Sequence, residues 1–473
     1  MPHKRAKAVG KLLIFDNRTT PWSIDRFGLK QAYTVVPACC PSIQNIAMAR
    51  RLSKKKISVW LLLLAVFLFF RCGGPKAVTT SVKKVFTRSE KNTNAKLAAN
   101  DLNIDPTLAH RLDSFVNATN RLGTLGVYIY DETANKEVYG YRADTLMRPA
   151  SNMKMLTSIA AIRKLGPNYR FTSGAYMNGR KYGDVLTGDI GFKFTFDPWF
   201  DSVKLHDLTS SFAKEGIRRI DGRVIVDMVM REPMQHEEHW TVGDLKTRRL
   251  GMLYRGEKRV LNEVRYALRA HGVNFSDSQV VISKIPKGSR LLTKVSSPMY
   301  KSLELAINNS SNEQAECLSF ALSGLHLSGQ NFREAGTEYL RTFISKELGV
   351  NPDEVSVIHD GCGLCVHDRL TPRFLVRLLH YARRHEYIHN MLAMYMPVSG
   401  KTGTLHNRMH REAVRGKVKA KTGTLTREDG ITSLAGYVVG KNGHTLSFAI
   451  IQNEVPVADA RLWQDRFCEQ LLQ

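Results

Sequence analysis

The sequence predicts an α+β protein: one antiparallel sheet assembled from both ends of the body, covered by helices, with the middle of the chain inserted. Three observations predict it. Two short strand-like runs, 126–130 and 138–141, flank a turn at 131–136 and read as a hairpin. Three more strand-like runs, 416–425, 431–439 and 445–452, lie near the C-terminal end, the last two joined by the turn signal Lys441-Asn442-Gly443. Helical periodicity fills much of the space between these groups.

The elements follow in chain order. The run 57–70 (ISVWLLLLAVFLFF) is unbroken and apolar, with Lys54, Lys55 and Lys56 before it and Arg50 and Arg51 upstream. That is the charged and apolar pairing of an export signal. It is short for a membrane span, which needs about 20 apolar residues. We assign 48–72 as a signal peptide or membrane anchor, 1–47 as a mis-assigned start or an unstructured extension, and 73–100 as a linker. Residues 102–119 read as a helix through Leu108, Leu112, Phe115 and Val116. A helix is expected to begin at Ser151, after Pro149, and to stop at Gly166-Pro167. Residues 173–280 mix short strands and turns, such as 189–196 and 223–228, and are read as an inserted domain between 101–172 and 281–473. Beyond it come two helices interrupted at 308–312, a helix over 370–384, and a closing helix over 459–472 with Leu462, Trp463, Phe467 and Leu471 on its apolar side.

Composition narrows the function. The chain has 473 residues and a net charge of +26. Residues 1–100 hold 19 Lys/Arg against 3 Asp/Glu, so much of the basic excess belongs to the leader. The body lacks the basic-aromatic stripe of a nucleic-acid binder. Seven cysteines in so long a chain do not suggest a disulfide framework. Cys362 and Cys365 form a single C-x-x-C, with no second pair and no histidines at zinc-ligand spacing in the sequence. They read as small packing residues in a turn. His236-Glu237-Glu238-His239 is not the H-E-x-x-H of a metallohydrolase and reads as a charged surface turn. No cofactor or metal is expected.

Ser151-Asn152-Met153-Lys154 is S-x-x-K. A serine hydroxyl needs a base to become a nucleophile, and residues three apart on a helix share a face, about 5–6 Å between Cβ atoms. Burial or a neighbouring cation would lower the lysine pKa enough for it to serve. Ser53 with Lys56, Ser81 with Lys84 and Ser211 with Lys214 share the spacing but lack the helix-start setting. Ser310-Ser311-Asn312 is S-x-N in a helix break, able to relay a proton and hold a substrate amide; Ser and Asn there are also ordinary helix caps. Lys421-Thr422-Gly423 is K-T-G on a strand, offering positive charge, a hydroxyl and room for substrate. A second K-T-G, Lys401-Thr402-Gly403, lacks the strand context.

S-x-x-K, S-x-N and K-T-G in this order are the active-serine set of penicillin-binding proteins and serine β-lactamases. The stretches 148–171 (RPASNMKMLTSIAAIRKLGPNYRF), 295–316 (VSSPMYKSLELAINNSSNEQAE), 360–373 (DGCGLCVHDRLTPR) and 416–438 (GKVKAKTGTLTREDGITSLAGYV) resemble the D-alanyl-D-alanine carboxypeptidase/endopeptidase family of low-molecular-mass class C penicillin-binding proteins, over about residues 100–473. The resemblance implies a penicillin-binding/β-lactamase-like transpeptidase fold, with a five-stranded antiparallel sheet and an all-helical subdomain. It implies hydrolysis of the D-Ala-D-Ala terminus of peptidoglycan stem peptides, or of their crosslinks, outside the cytoplasmic membrane, through an acyl-enzyme that β-lactams trap. Carried over by position, Ser151 is the nucleophile, Lys154 the acylation base, Ser310 and Asn312 the second motif, and Lys421, Thr422 and Gly423 the third. The N–H groups of Ser151 and Thr424 form the oxyanion hole.

The sequence departs from the family at Ser311, where Asp is frequent, and at Cys362 and Cys365, which replace serines. A β-lactamase is disfavoured by the insertion and the 360–373 match. A catalytically inactive cell-wall-binding protein is disfavoured by the intact motifs.

Overall fold

The computed structural model describes residues 105–473 except 119–122, 242, 247–248 and 325–330. The leader and linker assignments lie outside the described residues. Among those residues, no helix is long and apolar enough to cross a membrane.

Helix α1 (Leu108–Ala118) precedes the hairpin β1 (Thr124–Asp131) and β2 (Lys136–Tyr141), and α2 (Met153–Leu165) follows. Then come β3 (Arg170–Tyr182), β4 (Val185–Lys193), α3 (Ser202–Lys214), β5 (Arg219–Ile220), β6 (Val224–Asp227), α4 (Glu257–Ala270), β7 (Val280–Ile282) and β8 (Arg290–Pro298). Next are α5 (Tyr300–Ile307), α6 (Asn312–Leu322), α7 (Phe332–Leu348), the short ladder β9 (Ser356–Val357) and β10 (Arg369–Leu370), α8 (Pro372–Arg384) and α9 (Glu386–Tyr395). The chain closes with β11 (Val418–Leu425), β12 (Ile431–Val439), β13 (Thr445–Asn453) and α10 (Val457–Leu471).

The expected sheet is present. Five strands run in the order β11-β12-β13-β1-β2, every neighbour antiparallel. Side chains alternate across a strand, and both faces are covered here. Val127, Ile129, Phe448 and Ile450 point into one apolar cluster with Leu112 of α1 and Trp463 and Phe467 of α10. Tyr128, Ala449 and Ile451 point into the other, with Ile159 of α2 and Phe374 and Leu378 of α8.

A second sheet, order β7-β6-β4-β3-β8 with β5 beside β4, is built from residues 170–298. It mixes antiparallel pairs around β3 with parallel pairs among β4, β6 and β7. Its Phe192, Phe194 and Phe212 belong to the same apolar cluster as α2 and α6, so the two layers share a core.

Three expectations are corrected. Residues 370–371 are not helical: Leu370 pairs with Ser356, and Thr371 caps α8 by accepting the Phe374 N–H at 3.1 Å, with Pro372 in its first turn. Leu462 faces solvent at 53% exposure, because Ala460, Trp463, Phe467 and Leu471 form the inner stripe. The helix at Ser151 begins two residues later, at Met153, with a consequence for the site described next.

Candidate active site

Ser151 sits in a 3-10 turn over Ala150–Asn152 that leads into α2. The turn is bent by Ala150, whose φ of 46° lies in the left-handed region, an uncommon place for a residue with a Cβ. Two contacts hold it there. Ser433 on β12 donates to the Pro149 carbonyl and accepts from Asn152 Nδ2 at 2.7 Å. Gly363 presses against the Ala150 carbonyl so closely that a Cβ on it would lie 1.9 Å from that oxygen.

Lys154, the second residue of α2, is fully buried. Its Nζ lies 2.8 Å from Ser151 Oγ, 2.8 Å from Asn312 Oδ1 and 2.6 Å from the Cys362 carbonyl. Burial pushes its pKa down, against the partial opposition of Cys362, Asp360 and Glu316. The chemical content lies in the partners. Asn312 Oδ1 and the Cys362 carbonyl can only accept. A neutral amine would spend its two N–H groups on them, leaving its lone pair for the Ser151 hydroxyl, the one partner able to donate.

Ser310 and Asn312 lie in the break between α5 and α6, as expected. Ser310 has a left-handed φ of 59°, which turns its side chain toward β11. There Lys421 Nζ lies 2.8 Å from Ser310 Oγ and 2.7 Å from the Thr422 carbonyl. Lys421 is also fully buried, and its pKa falls well below the usual lysine range, through burial first and the Lys154 charge second. Ser311 caps α6 by accepting the Gln314 N–H at 3.3 Å. Asp would cap equally well, so this departure from the family leaves the backbone unchanged.

Gly423 is where β11 passes the nucleophile. A Cβ there would lie 2.2 Å from Ser433 Oγ, 2.6 Å from the Pro149 carbonyl and 3.1 Å from Ser151 N. Thr422 Oγ1 donates to Thr404 Oγ1 at 2.7 Å, and Thr424 Oγ1 accepts from Arg461 at 2.9 Å. The structure thus brings Ser151, Lys154, Ser310, Asn312, Lys421, Thr422 and Gly423 to one place, with Thr424 next on the strand.

Other matches fall elsewhere. Ser211 bonds the Leu208 carbonyl within α3. Ser53, Ser81 and their lysines lie outside the described residues. Lys401 is exposed, and its loop reaches the site through Thr404.

Sequence reasoning missed the floor of the site. Asp360 accepts backbone N–H groups from Cys362, Gly363, Leu364 and Cys365, folding 360–365 into a tight loop that presents the Cys362 carbonyl to Lys154. Trp240, from the second-sheet region, donates to the same carboxylate at 2.8 Å. Buried Glu316 accepts from Gly361 N at 2.7 Å and pairs with Arg333 at 3.3 Å. The single Asp-Gly-x-Gly pattern at 360–363 was the available signal, but its carbonyl ligand is backbone and leaves no trace in residue identity.

Comparisons with known proteins identify relatives of this chain. The carboxypeptidase DacB of Mycolicibacterium smegmatis is 26% identical over 361 residues, covering 70% of this chain and 77% of that protein. The D-alanyl-D-alanine carboxypeptidase DacB of Haemophilus influenzae is 21% identical over 409 residues, covering 69% and 84%. The crystal structure of penicillin binding protein 4 from Haemophilus influenzae superposes with a TM-score of 0.63 at 20% identity, covering 76% of this chain and 98% of that one, so the fold is the penicillin-binding/β-lactamase-like one. The family model of the D-Ala-D-Ala carboxypeptidase 3 (S13) family matches residues 108–249 and 253–469, and the chain belongs to that family.

Proposed function

We propose that this chain hydrolyses the D-Ala-D-Ala terminus of peptidoglycan stem peptides through an acyl-enzyme on Ser151, and that β-lactams acylate the same serine. One observation carries the reading: the Lys154 amine has two acceptor-only partners and one hydroxyl partner within 2.8 Å. Lys154 takes the Ser151 proton as Oγ attacks the penultimate D-Ala carbonyl. The N–H groups of Ser151 and Thr424 receive the oxyanion, which the close passage of Gly423 past Ser151 N supports. The terminal carboxylate meets Lys421 and Thr422. As the C–N bond breaks, the leaving D-Ala amine takes a proton relayed by Ser310 and Lys421. Water then cleaves the ester and restores the Ser151 hydroxyl.

The proposed organisation is a catalytic domain from 101–172 and 281–473 with 173–280 inserted, exported by the 48–72 segment to the periplasm or the outer face of the cytoplasmic membrane. Trp240 bonding Asp360 makes the insertion part of the site wall. The test is incubation with a pentapeptide ending in D-Ala-D-Ala, with mass analysis and fluorescent-penicillin labelling. The chain should release one D-Ala and take the label, and Ser151→Ala should do neither. Labelling that survives Ser151→Ala would remove Ser151 from this role.

A further inference from the structure

Beside the Asp360 loop, to which Cys365 belongs, the fold gathers residues far apart in sequence. One potential ligand atom from each of Glu237, His239, His359 and Cys365 lies within 4.8 Å of all the others. The C-x-x-C reading found no histidine partners because His239 arrives from 120 residues upstream of His359. The 236–239 segment is also not the surface turn expected: Glu238 is 80% exposed at its side chain, but Glu237 is buried. Cys365 is a free, buried thiol.

We propose that Glu237, His239, His359 and Cys365 bind a zinc-class divalent ion that pins the second-sheet region to the loop under the active site. The donor set is one sulfur, two imidazoles and one carboxylate, the mixture that soft-to-borderline tetrahedral ions take. Zinc bonds of about 2.0–2.3 Å space tetrahedral ligand atoms about 3.3–3.8 Å apart. The cluster therefore needs to contract by about 1 Å, within reach of side-chain rotation. Glu237 Oε1 now sits 2.7 Å from His239 Nδ1; binding exchanges that contact for two bonds to the ion, opening it by about half an ångström. The His367 N–H donates to Cys365 Sγ at 3.4 Å, placing a backbone donor beside the proposed sulfur ligand. The His367 ring stands 4.2 Å from the His239 ring and shields that side.

The Cys365 N–H also holds Asp360 at 2.8 Å, and the same loop presents the Cys362 carbonyl to Lys154. An ion here would stiffen the loop that aims the base, while taking no part in the bond-making steps.

The test uses the full chain without a histidine tag. The protein is stripped with chelator, then titrated with zinc against a chromophoric competitor, and separately with cobalt(II). The proposal expects one zinc per chain bound tighter than micromolar. It expects an intense near-ultraviolet thiolate-to-cobalt band, absent in Cys365→Ser, and at least tenfold weaker zinc binding in His359→Ala, with fluorescent-penicillin labelling as the check that each variant folds. Cobalt binding to the unmutated chain without a thiolate band would overturn it, whether or not the variants fold. So would zinc affinity unchanged in folded Cys365→Ser and His359→Ala.

Discussion

Among the described residues, the half-buried serines Ser151 and Ser310 each meet a fully buried lysine, and the difference between the two pairs shows how one residue type is given two tasks. Lys154 and Lys421 are both fully buried, and each has a serine hydroxyl at 2.8 Å. Around Lys154 the other two partners only accept, so a neutral amine there points its lone pair in one direction, at Ser151. Around Lys421 the other partner among the described residues is the Thr422 carbonyl, so Ser310 can either give or take a proton. The surroundings differ in charge as well. Asp360 and Glu316 partly hold up the Lys154 pKa, whereas Lys421 has the Lys154 charge pushing it further down. The first pair is built for directed proton removal, the second for relay and for meeting a substrate carboxylate.

Mutating the two lysines separately sharpens that division and has the largest expected effect. General-base removal costs about 10²–10⁴-fold, so Lys154→Ala should cut penicillin acylation by about 10³-fold. Lys421→Ala removes a proton relay and an N–H donor for the substrate carboxylate, and the loss should be about 10–10²-fold. Stopped-flow acylation with a chromogenic β-lactam reads both. Equal losses would erase the distinction, and a larger loss from Lys421→Ala would reverse it.

The pH profile of acylation is the next test. A base with an ordinary lysine pKa of about 10.4 would make the rate climb tenfold per pH unit up to about pH 10. Burial lowers the Lys154 value, so the neutral fraction saturates earlier. The acylation rate should therefore level off at a lower pH than an ordinary lysine would allow, before about pH 10. A profile still rising with unit slope at about pH 9.5 would place the titrating base outside this buried setting.

The same contrast separates what residue identity discloses from what it hides. The five-stranded sheet was legible because its strands are short strand-like runs next to hairpin turn signals, and the three motifs were legible because their side chains do the chemistry. The bend at Ala150 was not. It is imposed by Gly363 and Ser433, both more than 200 positions away, and nothing local marks Ala150 for a left-handed φ. The Cys362 carbonyl was hidden for a different reason: any residue supplies a carbonyl, and only the Asp360 loop aims this one. The second sheet was hardest, because its parallel pairs join β4, β6 and β7 across helices, and short apolar runs do not specify their neighbours. Leu462 misled because apolar identity alone does not decide which face of a helix is inward.

The smallest expected effect concerns the carboxylates that distinguish the Lys154 side. Burial, then the Asp360 charge, push Glu316 up to about 7, despite the opposing Arg333. Between the ordinary glutamate value of about 4.3 and about 7, the folded chain keeps a proton that the unfolded chain has released. The folded state then binds more protons, so this contribution to stability is complete below the lower value and is lost as pH rises through the upper one. Glu316→Gln keeps an acceptor for the Gly361 N–H but cannot titrate. The melting temperature of the unmodified chain minus that of Glu316→Gln should therefore fall by about 2–4 °C between about pH 5 and about pH 7.5. A difference that stays flat or grows across this interval would mean that Arg333 keeps Glu316 ionised throughout. The loop beneath Lys154 would then rest on a permanent ion pair rather than on a carboxyl that is protonated below about pH 7.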